Sequence, residues 1–205
     1  MSLRDRKRAR TRQALVDAAA DLFERNGYDQ TTVADIAAAA DIGTRTFFSY
    51  FASKEELLFP ESDSRVQATV DAIAARKPAD GPAEVLLTAL RNIGEDSNDM
   101  VSPLAGLRMR LIQTVPAVRG RALQIQLDAQ REIARHLAAE FPDQLDQVSA
   151  AALTGAFVGA VQGALQVLLE DPERQANPAA MRAAVGQAAD IALTPWLRHG
   201  SATRH

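Results

Sequence analysis

Six cations crowd the first twelve residues: Arg4, Arg6, Lys7, Arg8, Arg10 and Arg12 stand against one carboxylate, Asp5, for a local charge of +5. Guanidinium and ammonium groups at that density displace counterions from a polyanion, either a nucleic-acid backbone or an anionic lipid surface. A solubilising tail is the plainer reading of the same run. The rest of the chain does not share this charge. Residues 13–59 carry −5 and the remainder −3, so a 205-residue chain of net charge −3 keeps its positive field at one end.

A second group of candidate residues lies between positions 32 and 51. Two short apolar-periodic segments there are joined by Asp41-Ile42-Gly43, and a longer one precedes them. That spacing is the pattern of a helix-turn-helix, whose second helix enters a DNA major groove. With Ile42, Phe47 and Phe51 turned to the core, Thr44, Arg45, Thr46, Phe48 and Ser49 are left facing outward. Arg45 has the forked donors that match a guanine O6/N7 pair, and Phe48 can pack on a thymine methyl. Thr44 and Ser49 can donate to phosphates or base edges. An exposed arginine with no task, or an ordinary helical hairpin, would produce similar spacing.

Other chemistries find little material. The chain has no cysteine, which excludes disulfides, thiolate metal sites and thiol nucleophiles. Its three histidines, His136, His199 and His205, show no metal-ligand spacing with carboxylates. No phosphate-binding glycine loop or nucleophile elbow occurs. No catalytic set, cofactor or metal is expected. The charged N-terminus does not read as a secretory signal, so a cytoplasmic protein is expected.

The elements that must position these residues are helical throughout, about nine in number, because apolar residues recur at helical spacing and period-two alternation is never sustained. Leu15, Ala18, Ala19, Leu22 and Phe23 form one stripe, closed by Gly27. Thr32 and Asp35 make an imperfect capping box for the next helix. Ser53-Lys54-Glu55-Glu56 fits a capping box that predicts a fourth, longer helix. Breaks follow at 78–82, 99–103, 116, 142–143 and 171–178, and Asn177-Pro178 predicts the start of the last helix. The domain division expected is 1–58 and 59–205.

The residues Thr31-Thr32-Val33-x-Asp35-Ile36-Ala37, then Ile42-Gly43-Thr44-Arg45-Thr46-Phe47-Phe48-Ser49-Tyr50-Phe51-x-Ser53-Lys54-Glu55-Glu56-Leu57, resemble the tetracycline-repressor (TetR) family over roughly residues 8–58. The resemblance implies a three-helix DNA-binding domain on an all-helical ligand-binding and dimerisation domain. It implies a homodimer on a roughly palindromic operator, repressing until a small-molecule effector binds. It makes Thr32, Tyr50 and Lys54 phosphate contacts and Thr44, Arg45 and Thr46 base-facing positions. Two residues depart from the family pattern. Phe48 stands where tyrosine is usual, and Gly43 where a serine or threonine cap is usual. Without the resemblance, Thr32 is a helix cap, Tyr50 a packing residue and Lys54 a solvated cation. The rival function is a sequence-indifferent architectural DNA binder, which the basic arm would serve equally well.

The second domain offers two further candidates. Residues 147–169 carry no charge, and Gly155, Gly159 and Gly163 share a helix face with Gln162 and Gln166. A membrane span fits the length, but the glutamines, the alanine content and the acidic flanks oppose it. A smooth seam for close helix approach fits better, giving a four-helix dimer interface with the last helix and its Met181, Val185, Ala188, Ile191 and Trp196. Arg108 shares a helix face with Leu104, Leu111 and Ile112, where it can anchor an anionic, largely hydrophobic effector.

Overall fold

Local signals in the chain account for most helix starts in the computed structural model, which describes residues 2–96 and 101–199. The break expected at Asp99 and the third histidine, His205, lie outside the described residues. The architecture among the described residues is all-helical.

Ser2 and Asp5 form a reciprocal capping box, so helix α1 begins at Leu3 and runs to Asn26. The basic run is therefore not an arm lying beside the first helix; it forms that helix's first turns. Arginine, lysine and alanine are strong helix formers, and the cap satisfies two of the orphan N–H groups. At the far end Gly27 takes φ +82, a conformation that favours glycine, and its N–H bonds to the Phe23 carbonyl.

Helix α2 (Val33–Ala39) is opened by Thr32, and the capping box is complete: Thr32 N donates to Asp35 at 2.9 Å and Asp35 N donates to Thr32 Oγ1 at 3.2 Å. The bonds from Thr32 hold the Asp35 carboxyl below its ordinary pKa. The turn that follows places Asp41, not Gly43, in the left-handed region at φ 54. Aspartate tolerates that conformation better than most residues. Gly43 instead caps helix α3 (Thr44–Phe47) without a side-chain bond.

The longer helix predicted from Ser53 does not form. A 3-10 turn over Glu55–Leu58 stands there, followed by Phe59 at φ −127, ψ 48. Pro60 is the reason, because the residue before a proline is pushed out of the helical region. The remaining helices are α4 (Ser62–Ala74), α5 (Pro82–Asp96), α6 (Pro103–Thr114), α7 (Pro116–Glu140), α8 (Gln147–Leu169), α9 (Pro172–Gln175) and α10 (Pro178–His199). Five of these seven begin with proline, whose missing N–H is an orphan at that position anyway.

Two compact units result. The first is Met1–Pro60 with Leu107–Ala122; the second is Glu61–Gly106 with Leu123–His205. A cut between 58 and 59 takes no account of Leu107–Ala122. The first unit is cored by Leu15, Ile36, Phe47, Phe51 and Leu57. In the second, α8 packs on α10 and α4 on α5, around Ile73, Leu86, Leu153, Met181 and Leu193.

Candidate nucleic-acid interface

Helices of seven and four residues are too short to persist alone, so tertiary contacts must hold α2 and α3. Phe47 is fully buried and meets Phe51 at a ring distance of 6.0 Å. Anchoring those two rings turns the intervening side chains outward. Thr44, Arg45, Thr46, Phe48 and Ser49 are all exposed, as their spacing predicts, while Ile42 is only half-buried. Phe48 leaves 56% of its surface in solvent, touching Phe47 edge-on. Ser49 donates its hydroxyl back to the Thr46 carbonyl at 2.6 Å, which closes the end of α3.

The segments on either side are held by polar ties. Lys54 Nζ donates to the Tyr28 carbonyl at 2.9 Å and the Thr31 carbonyl at 3.0 Å, and lies 4.1 Å from the Tyr28 ring centre. The Tyr28 hydroxyl donates to Glu55. Burial first, and then the Glu55 carboxylate, push the Tyr28 pKa up, so the phenol keeps its proton and remains a donor. Burial acts to raise the Glu55 pKa too, but the bonds from Ser53 and Tyr28 outweigh it and hold the carboxyl low. Thr31, fully buried, donates to the Gly27 carbonyl at 2.8 Å. These ties fix the entry to α2 against the 3-10 turn after α3.

The six N-terminal cations divide by helical angle. Arg4, Arg8 and Arg12 extend the buried row of Leu15 and Ala19 towards the N-terminus. Arg8 reaches the Tyr50 ring, 5.5 Å from its centre. Arg12 donates to the carbonyls of Tyr50 at 3.2 Å and Pro60 at 3.0 Å and stacks 4.2 Å from the centre of Phe51. Arg12 is thus a brace of the first unit. Arg4, Arg6, Lys7, Arg8 and Arg10 stay exposed and can meet a phosphate backbone. Thr32 is both an exposed residue and the cap of α2, and Tyr50 is half-buried. Lys54 carries a structural role that solvated-cation reasoning missed.

Comparisons with known proteins bear on this interface. Residues 15–59 match the family model "Bacterial regulatory proteins, tetR family", and residues 80–192 match "MftR C-terminal domain". The transcriptional regulator TcmR of Streptomyces glaucescens is 30% identical over 207 aligned positions, spanning 97% of this chain and 92% of TcmR. The chain belongs to the TetR family. It is also 27% identical to the regulator MftR of Mycobacterium tuberculosis over 65% of this chain and 67% of that protein. Thermus thermophilus FadR, a repressor solved with lauroyl-CoA, shares the fold at 18% identity and a TM-score of 0.53, covering 95% of this chain and 96% of FadR.

On α8 of this regulator, Gly155 is half-buried, while Gly159, Gln162, Gly163 and Gln166 are exposed. A Cβ added at any of the three glycines would meet no atom within 4 Å. Met181 and Val185, expected beside them at a dimer seam, are instead buried in the second unit's own core. Ile191 lies on the other face of α10 and leaves 70% of its surface exposed. By length and composition α8 could cross a membrane, but Phe157 and Leu168 on its inner face are buried in the second unit.

Arg108 is buried, 9% exposed, and donates to the Leu58 carbonyl at 3.0 Å. Its guanidinium lies 5.9 Å from the Phe59 ring centre. The anchor expected for an effector is thus held against the end of the 3-10 turn. Two neighbouring cations act alike: Arg110 pairs with Glu24, and Arg121 with Glu56 at 3.0 Å. These three ties keep Leu107–Ala122 in the first unit, and long-range pairs of this kind leave no trace in local sequence spacing.

Proposed function

We propose that this TetR-family regulator binds a palindromic operator as a homodimer in the cytoplasm and represses until a small effector occupies its second unit. The observation that carries the DNA reading is the outward set Thr44, Arg45, Thr46, Phe48 and Ser49, held on a backbone that Phe47 and Phe51 pin from below. Arg45 reads a guanine and Phe48 a thymine methyl, while Thr32, Tyr50 and the exposed N-terminal cations meet phosphates. Tyr50 offers its hydroxyl, with the Arg8 guanidinium 5.5 Å from its ring centre.

The uncovered α8 stripe supports the homodimer. Exposed Gly159, Gln162, Gly163 and Gln166, with half-buried Gly155 on the same face, let a second α8 approach closely and bond across the seam, and exposed Ile191 of α10 adds to it. A two-fold dimer then presents two reader turns to two half-sites.

Selection of bound duplexes from a random DNA pool, at a stated near-physiological salt, tests this reading. A two-fold symmetric motif with half-sites about one helical turn apart is the expected result. Absence of any motif, with binding that vanishes as salt rises, would replace the regulator by a sequence-indifferent DNA binder.

A further inference from the structure

The second unit contains a cavity of about 580 Å³ between α5, α8 and α10. That is the size range of small-molecule sites. Its wall is aliphatic, built by Leu90, Val101, Leu165 and Val185. Two cations, Arg91 on α5 and Arg182 on α10, stand at the same cavity with one carboxylate, Glu95.

Two glycines stand in its wall. Gly94 lies one turn beyond Arg91 on α5, and the Arg182 stem crosses it, with Cδ 3.4 Å from where a Cβ would sit. A Cβ at position 94 would touch the arginine stem at ordinary van der Waals distance, so only a longer side chain would compete with it for space. Gly186 lies one turn beyond Arg182 on α10, and a Cβ there would meet nothing within 4 Å. Glycine inside a helix is destabilising relative to alanine, and here neither glycine serves a turn or a positive φ. Gly186 leaves open space at the cavity wall, and Gly94 lets the Arg182 stem lie across α5.

We propose that this cavity binds an amphipathic monoanion, its apolar body against the aliphatic wall and its carboxylate between Arg91 and Arg182. This deepens the effector reading above and rests on it. Guanidinium forks match carboxylates geometrically, and the aliphatic wall excludes small inorganic anions from the rest of the site. Among the described lining residues two guanidinium groups stand with one carboxylate, Glu95, which suits an anionic head group. Arg108, buried against Leu58 and Phe59, plays no part in it.

Calorimetric titration of the full-length protein with decanoate, decanol and decyl phosphate tests the proposal, with operator binding measured in parallel. Decanoate should bind most tightly. Arg182→Met keeps the stem over Gly94 and removes the charge, so it should weaken decanoate about ten- to a hundredfold and leave decanol unchanged. Gly186→Leu fills the cavity and should abolish binding of both. Equal affinity for decanoate and decanol, or decanoate binding unaffected by either variant, would overturn the proposal. Tighter binding of decyl phosphate would do so as well, since it would replace the monoanion by a phosphorylated ligand. If decanoate binds as expected while operator affinity stays constant, the cavity assignment stands and the effector-released repressor reading fails.

Discussion

The reader segment and the α5–α8–α10 region solve opposite problems. Residues 27–60 hold two helices of seven and four residues, and named polar ties lock them: Lys54 to two carbonyls, Tyr28 to Glu55, Thr31 to Gly27, Arg12 to Tyr50 and Pro60. Helices α8 and α10, of 23 and 22 residues, are long enough to hold themselves, pack through aliphatic residues, and leave glycines on open space. A surface that matches a rigid duplex needs a fixed backbone, which short elements reach only through cross-links. A unit that receives a ligand or a partner needs room, which long helices can spare.

Substitutions can break this contrast, and the largest effect belongs to the open region. Gly159→Leu introduces a side chain where the chain's own atoms are absent, so folding should survive and the dimer should not. Sedimentation should show monomers, and an unaltered dimer would remove α8 from the seam. Next in size is Lys54→Met, which deletes two carbonyl bonds and a ring contact. A loss of about 2 kcal/mol in denaturant unfolding is expected. No loss would mean that the reader segment does not depend on that tie.

Arg45→Ala sharpens the comparison from the DNA side. Operator affinity should fall by about 1–3 kcal/mol, with relaxed preference at one position of each half-site in a competition assay. Arg6→Ala should weaken all sequences alike and lower the salt slope by about one. A base-specific effect of Arg6 would reverse the two roles.

The smallest effect concerns pH. Glu55 titrates below its ordinary value in the folded protein, so its contribution is present above the unfolded value and is lost as pH falls through the lower, folded one. The Tm difference between wild type and Glu55→Gln should therefore be largest near neutrality and shrink in acid. A difference that grows in acid would contradict the Tyr28–Glu55 tie.

What the residues alone determined is local. Caps, glycines and prolines act within four residues of themselves, so the helix starts at Thr32, Pro103, Pro116 and Pro178, and the outward set from Thr44 to Ser49, were legible from spacing. The failure at Ser53 was also local: Pro60 stands in the sequence, and its veto on the preceding residue outranks the capping pattern. Tertiary structure alone decided the rest. Whether Arg12, Lys54 and Arg108 serve a partner or the fold depends on carbonyls 23 to 50 residues away. Which face of α10 is buried depends on where α8 packs, and that placed Met181 and Val185 inward and left Ile191 outside. The cavity beside Arg91 and Arg182 exists only where three helices meet over two glycines. A long cation pairs with whatever acceptor the packed chain brings within its reach, and that distance is set by the fold rather than by neighbours in sequence.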